Sequence, residues 1–293
     1  MQERSTRVGE NAASQTASVS EVKKIQLLVI DLDGTTVGMS NQFQPAVKET
    51  LQAARSKGVK VAIATGRMYR SALRFHEELG LTLPLMVYQG ALIKDPATGT
   101  VHRHLTIPKD YAMRLLDDLE QPELQDLIAI HCYIDDHLYI REMTSESQEY
   151  AARSNIEIIP VGDLRQVLAQ EPTKILALSQ QSAMIDHLLS SLRQRYTPAE
   201  LYFTKSVATF FEATHPLVNK GTAVRYLAEE VLGLQAANVM AIGDNFNDLE
   251  MIEYAGVGVA MGNAPDDVKA VAHWVAPDVE QDGAAVAIAQ FIL

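Results

Sequence analysis

The stretch that most restricts how this chain can fold is residues 25–64, where two short apolar runs enclose one helix-patterned segment. The first run, Ile-Gln-Leu-Leu-Val-Ile, stops at Asp31-Leu32-Asp33-Gly34, and an apolar run cut short by a turn signal reads as a buried strand. Residues 45–57 then carry apolar side chains at Val47, Leu51 and Ala54, with a proline at the start and Gly58 just beyond the end, which is helix punctuation. Residues 59–64 are the second strand. Strand, helix and strand joined this closely imply a parallel pair, because parallel strands need a crossover of that length.

The same alternation returns late in the chain, with strands over 238–242, 257–260 and 273–275 and helical stretches over 248–255 and 265–272. The two ends are therefore expected to be halves of one doubly wound, Rossmann-like α/β sheet, residues 23–88 and 215–293. The middle, residues 89–214, reads differently. Residues 91–94 and 101–104 flank Asp95-Pro96-Ala97-Thr98-Gly99, and 127–134 and 137–141 flank Asp135-Asp136, so both are expected hairpins. Helical patterns over 109–119, 146–153 and 183–195 are interleaved with them, and an α+β domain inserted into the parallel sheet results. At 293 residues, two domains sharing a chain are the expectation. Residues 1–22 are polar and lack the apolar stretch of a secretory signal, so they read as a disordered tail.

The formal net charge of −12 disfavours nucleic acid and anionic membranes as partners and leaves small molecules. No apolar run approaches the length that crosses a bilayer. The single Cys132 excludes a disulfide within one chain and suits a reducing, cytoplasmic setting.

Chemistry concentrates where the strands end. Asp31 and Asp33 emerge at the carboxyl edge of a parallel strand, the edge where open α/β sheets place ligands, and Gly34 permits the sharp departure that lets both reach one substrate. One carboxylate can act as nucleophile and the other as proton donor and acceptor. The second strand ends in Thr65-Gly66-Arg67 at the start of a helix, where free backbone N–H groups favour an anion and Thr65 can hold a phosphoryl oxygen. Asn219-Lys220-Gly221 opens another helix, where a lysine opposes the helix dipole unless it serves a function such as neutralising a phosphoryl group. Gly243-Asp244-Asn245-Phe246-Asn247-Asp248 ends a third strand with two further acids. Taken singly, Asp33-Gly34 is also an ordinary turn, Thr65 an ordinary helix cap, and Lys220 or Arg67 an ordinary surface cation. Taken together, four acids converge on one edge. Two unit charges about 4 Å apart repel by about 4 kcal/mol at an effective dielectric of 20, so the cluster requires a cation or protonation. Oxygen-only ligands beside a phosphate favour magnesium over zinc.

These four motifs, in this order, resemble those of haloacid-dehalogenase-superfamily phosphatases of the Cof type, over roughly residues 24–293. The resemblance implies a magnesium-dependent phosphomonoester hydrolase acting on a small metabolite, a sugar phosphate first among them. It implies that Asp31 attacks phosphorus, and that Asp33 protonates the leaving group and later deprotonates water. Thr65 and Lys220 would hold the phosphoryl oxygens, with Gly34, Gly66, Arg67 and Asn247 completing the phosphate and substrate contacts. Magnesium would be bound by the Asp31 and Asp244 carboxylates and the Asp33 carbonyl, with Asp248 orienting metal waters or Lys220. The insert would be a mobile cap that closes over the site and reads the leaving group. Where such chains carry Asn-Gly-Ala, this one has Gln89-Gly90-Ala91. The same aspartate chemistry would also serve a phosphomutase, and the same fold a non-enzymatic phosphate-binding protein. His102, His104, His131 and His137 stand at no standard ligand spacing and read as surface or packing residues, and Met113, Leu115 and Leu116 as core.

Overall fold

The structure, a computed structural model, describes residues 24–293; the tail expected over 1–22 lies outside the described residues. The strands run in chain order as β1 (Leu27–Ile30), β2 (Lys60–Ile63), β3 (Leu85–Val87), β4 (Leu92–Lys94), β5 (Val101–His104), β6 (Ala129–Ile134) and β7 (His137–Ile140). They continue as β8 (Ile158–Pro160), β9 (Lys174–Leu178), β10 (Tyr202–Thr204), β11 (Phe210–Thr214), β12 (Val239–Gly243), β13 (Val257–Ala260) and β14 (Trp274–Val275).

Leu-Leu-Val-Ile of β1 is apolar on both faces because both faces are covered. It lies in a parallel sheet of order β14-β13-β12-β1-β2, with Leu27 opposite Val239 on one side and Lys60 on the other. Alternate side chains serve opposite layers. Leu28 and Ile30 pack with Val47 and Leu51 of the Pro45–Ser56 helix and Ile288 of the Gly283–Phe291 helix. Leu27 and Val29 pack with Ala223, Val224, Leu227 and Met251 on the other face. Each Leu, Ile, Val or Met among these, fully buried, contributes about 1.5–3 kcal/mol. From β1 the chain moves outward to β2, and from β12 it moves outward the other way to β13 and β14. The order therefore reverses between β1 and β12, where doubly wound sheets leave a crevice at their carboxyl edge.

The insert is a second sheet of order β10-β11-β9-β6-β7-β8, antiparallel except where β7 meets β8. Its strands alternate as well. Cys132, Ile134, Ile175 and Phe211 point to Leu115, Leu116 and Leu192 of the Lys109–Leu119 and Ser182–Arg195 helices. Tyr133, Leu138 and Leu176 pack instead with Tyr88 of the core. The Asp135–Asp136 turn of the β6–β7 hairpin, both residues at positive φ, also reaches the core. Asp136 accepts hydrogen bonds from the Tyr69 and Arg70 backbone N–H groups at 2.9 and 3.1 Å and from Tyr88 Oη at 2.7 Å. A carboxylate from the insert thereby supplies the N-terminal partner that the Tyr69–Glu78 helix does not find in its own Met68.

Two details depart from the sequence reading. The β4–β5 hairpin, expected at the start of the insert, pairs with β3, and β3 joins the core through the Ala64–Met86 bridge and a 3.0 Å bond from Thr65 N to Met86 O. Turn residues announce a hairpin but not the sheet its outer strand joins. We accordingly propose that the insert begins after His104 and that the residues between 89 and 104 extend the core. The helix opened by Lys220 is regular only to Arg225 and continues as a π-turn, Tyr226–Val231, which residue periodicity does not distinguish from α-helix.

Candidate active site

Strand β1 delivers Asp31 to the reversal point, with its backbone N–H bonded to Ile242 O at 3.0 Å as if the strand continued. Leu32 turns into the core, and Gly34, at φ +79°, bends the chain over Asp244. A Cβ there would lie 2.2 Å from Asp244 Oδ2, so only glycine allows this approach. Thr35 Oγ1 then donates to Asp244 Oδ1 at 3.0 Å, and Thr36 Oγ1 donates to the Asp31 carbonyl at 2.6 Å.

Lys220 is fully buried and stands between two of the acids. Its Nζ donates to Asp31 Oδ1 at 2.7 Å and to Asp248 Oδ1 at 2.5 Å, which leaves one of its three N–H donors for a further acceptor. Asn219 frees Lys220 for this position by capping the helix itself, accepting from Thr222 N at 2.7 Å. Asp248 Oδ2 accepts from the Asp244 and Asn245 N–H groups at 2.9 and 3.1 Å. Carboxylate oxygens of Asp31, Asp244 and Asp248 lie within 4.8 Å of one another. Three acids against one lysine leave two negative charges uncompensated, which matches a divalent cation. Burial first, and then the nearby Asp248 charge, push Asp31 from its usual 3.8 up to about 7, with Lys220 working against the rise. Burial and the charges of Asp248 and Asp31 push Asp244 well above the usual range too. Burial works against the Lys220 ammonium, but the two carboxylates outweigh it and raise its pKa. The donor set is all oxygen and electrically short of two positive charges, so it fits magnesium; Asp31 and Asp244 are the carboxylates with oxygens to offer.

Asp33 faces the other way. Arg67 grips it in a fork, Nε to Oδ2 and Nη2 to Oδ1, both at 2.7 Å, and Arg153 of the insert adds a contact at 3.3 Å. Burial opposes the Asp33 charge, but the Arg67 hydrogen bonds and charge, followed by Arg153, outweigh it and hold the carboxyl below its usual 3.8. Thr65 Oγ1 accepts from Arg67 N at 3.2 Å, so its own O–H remains free to donate. Asn247 Oδ1 and Arg67 Nη1 are buried without a protein partner. Asp31, Asp33, Thr65, Gly66, Arg67 and Asn247 line one cavity of about 260 Å³ together with residues of the insert, among them Tyr150, Arg153, Lys174, Phe210 and Glu212.

The structure thus brings together every residue that the sequence singled out for chemistry. Gly34 shapes the turn, and Lys220, Asp244 and Asp248 form the wall behind Asp31. Among the described residues the histidines join no such group. His131 is buried, donates or accepts at Ser147 Oγ over 2.8 Å, and packs edge-on against Tyr150. Sequence reasoning did not find Arg153, Asn263, Lys174 or Glu212. Asn263 Nδ2 donates to Gly34 O at 2.9 Å and to Asp244 Oδ2 at 3.2 Å. Lys174 and Glu212 carried a signal, since each is the one charge of a strand that is otherwise mostly apolar, Lys-Ile-Leu-Ala-Leu and Phe-Phe-Glu-Ala-Thr. Arg153 carried none.

A family model described as haloacid dehalogenase-like hydrolase matches residues 28–288. Over 268 residues the chain is 30% identical to 5-amino-6-(5-phospho-D-ribitylamino)uracil phosphatase YitU of Bacillus subtilis, an alignment covering 89% of this chain and 96% of that protein. Pyridoxal phosphate phosphatase YbhA of Escherichia coli is 29% identical over 284 residues, 91% of this chain and 97% of the other. Among solved structures, a haloacid dehalogenase-like hydrolase from Bacteroides thetaiotaomicron superposes with a TM-score of 0.78 at 25% identity, covering 91% of this chain and 99% of that one.

Proposed function

Since this chain belongs to the haloacid dehalogenase-like hydrolases and its named relatives are phosphatases, we propose that it hydrolyses a small phosphomonoester with magnesium, through a phospho-aspartate on Asp31. The observation that carries the reading is the opposite treatment of two neighbouring carboxylates: Asp31 faces a lysine and two acids in the buried wall, and Asp33 faces two arginines across the cavity. The two are thereby separated in role: with a divalent cation beside it Asp31 would be the ionised nucleophile, and Asp33, the more exposed of the two, the group that exchanges protons with the leaving oxygen.

In the first half-reaction the free Asp31 oxygen attacks phosphorus while Lys220 keeps Oδ1 in place. The ester P–O bond breaks, and its oxygen takes a proton from Asp33. In the second half Asp33 takes a proton from water, the water oxygen bonds to phosphorus, and the Asp31–phosphorus bond breaks to release inorganic phosphate. Arg67 and Arg153 favour the ionised Asp33 that the second half requires; in the first half Asp33 must exchange them for the leaving oxygen. Thr65 O–H, the remaining Lys220 N–H and Asn247 are the donors for the transferring phosphoryl oxygens. Asp31 and Asp244, with the Asp33 carbonyl, would hold magnesium, which would supply positive charge against the phosphoryl group. Asp248 holds Lys220 in register.

The leaving group occupies the remainder of the cavity, against Tyr150, Phe210 and Arg153 of the insert. A sugar or polyol phosphate suits a space of about 260 Å³ with mixed polar and apolar walls, and the relative YitU is named for a substrate with a phosphorylated ribityl chain. The insert is a closing cap in this reading, and the cytoplasm is where such metabolites and magnesium meet.

The direct test is release of inorganic phosphate from a panel of sugar phosphates, polyol phosphates, nucleotides and pyridoxal phosphate. Release should require magnesium and vanish with a chelator; a folded protein that releases nothing from any compound, with magnesium present, removes the hydrolase reading. A second expectation concerns pH. Because the folded pKa of Asp31 is raised, its contribution to stability in metal-free protein is full below pH 3.8 and is lost as pH rises toward about 7. Magnesium competes for the same oxygens, so the thermal shift it produces should be small near about pH 5 and clearly larger near about pH 7.5. A shift that is absent, or equal at the two values, removes Asp31 as a ligand.

A further inference from the structure

We propose that Gln89 is a positioning residue for the phosphate site, relaying the charge of Glu212 on the insert to the amide of Asn247. The inference rests on the phosphatase reading above, in which Asn247 meets the phosphoryl group.

Gln89 is 1% exposed and does not line the cavity; it lies behind the wall. Its Nε2 donates to Glu212 Oε1 and Oε2, both at 3.2 Å, and its Oε1 accepts from Asn247 Nδ2 at 3.0 Å. The polarity of this chain has only one solution. An ionised carboxylate only accepts, so Gln89 must turn its amino end toward Glu212 and its carbonyl toward Asn247. Asn247 must in turn offer one N–H of its amino end to Gln89, which leaves the second N–H for a phosphoryl oxygen, and a flipped Asn247 would set two carbonyl oxygens against each other. The insert residue thereby dictates which way an amide of the core points, although the two never touch.

Glu212 is itself held to this task. It is 1% exposed, accepts from Lys174 Nζ at 2.8 Å and from the Ser206 hydroxyl, and so presents a fixed carboxylate to Gln89. Lys174 also donates to Gly66 O at 2.9 Å, which ties the same ion pair to the loop that carries Thr65. Gln89 touches that loop as well, through its backbone N–H to Thr65 O at 3.0 Å. Gly66 makes the room: a Cβ there would lie 2.4 Å from Gln89 Nε2, an atom that cannot retreat without leaving Glu212. Gln89 sits at φ +60°, between Tyr88 at +53° and Gly90 at +91°. In this left-handed region asparagine is far more at ease than glutamine, so a glutamine kept there points to its reach. One methylene more than asparagine spans both Glu212 and Asn247.

The experiment is calorimetric binding of inorganic phosphate, with magnesium present, to the full chain and to Gln89→Asn, Gln89→Met, Glu212→Gln and the Gln89→Met/Glu212→Gln double variant, with thermal midpoints measured on the same samples. Gln89→Asn should keep or raise the midpoint, because it relieves backbone strain, yet weaken phosphate about fivefold; Gln89→Met, which can bond neither neighbour, should weaken it about tenfold. On a preferred substrate the loss should fall on KM more than on kcat. Glu212→Gln should weaken phosphate by a clearly larger factor in the parent than in Gln89→Met, where only the part that Lys174 carries to the Thr65 loop remains. Additive losses, or phosphate affinities equal to the parent's, overturn the relay and leave the hydrolase reading standing. A parent protein that binds no phosphate overturns both.

Discussion

Asp31→Asn should yield a folded protein whose phosphate release falls by at least about 10⁴-fold, equivalent to about 5.4 kcal/mol of lost transition-state stabilisation. The amide keeps the shape of the carboxyl and an oxygen for Lys220, which now stands 2.7 Å from Asp31 Oδ1, but it cannot form the bond to phosphorus. Folding should not suffer. Burial and neighbouring carboxylates already oppose the Asp31 charge, so a neutral group there lowers repulsion in metal-free protein. The thermal midpoint without magnesium should match or exceed the parent's, and the stabilisation by magnesium should shrink. Single-turnover phosphate release beside thermal unfolding checks both halves. Turnover near the parental rate in a folded variant would remove the covalent role from Asp31.

Lys220→Met should be the most damaging single change to stability within the site. The lysine is wholly buried, and its removal leaves Asp31 and Asp248 without the cation that both contact. Breaking a buried pair by deleting one partner costs about 3–5 kcal/mol, because the surviving charge keeps its desolvation penalty. Methionine fills much of the same volume, so the loss is electrostatic. Protonating the orphaned Asp31 relieves part of it, hence the deficit against the parent should be larger near about pH 8 than near about pH 5. Denaturant unfolding at the two pH values measures this. A deficit under about 1 kcal/mol at both would mean that the three acids do not depend on Lys220 for their charge balance.

How much of this was legible depends on distance along the chain. The acids, Thr65 and Lys220 announce themselves because each interrupts an apolar run where a parallel strand ends or a helix begins, and such interruptions are local. The Lys109–Leu119 helix and the β13 strand are found at their own ends for the same reason. The partners across the cavity are another matter. Arg153 meets Asp33 across 120 residues, and Glu212 meets Gln89 across 123. Neither pairing follows from spacing, since it depends on how the insert sheet sits on the core. The pairing of the β4–β5 hairpin with β3 is hidden for a related reason: Asp-Pro-Ala-Thr-Gly fixes the turn, whereas the bridge from Ala64 to Met86, on which the proposed boundary after His104 rests, is a tertiary event. Gln89 stands out in the sequence as a departure from a motif, but the role proposed for it depends on Glu212 lying beside it.

The connectivity of the parallel sheet also sets an order of assembly. Thr35 and Asp244 hydrogen-bond although they are 209 residues apart, and β1 lacks one of its two neighbours until β12 has been made. The insert's six strands and three α-helices all precede β12 in the chain, so during synthesis they can pair while the parallel half-sheet is still waiting for its partner. Asp31, Asp33 and Thr65 are translated early, yet the cluster that gives Asp31 its chemistry closes only when Lys220, Asp244 and Asp248 arrive. A chain truncated before β12 would carry Asp31 on an unpaired strand edge, prone to sticking and without the acids Asp244 and Asp248 that stand beside it in the folded protein.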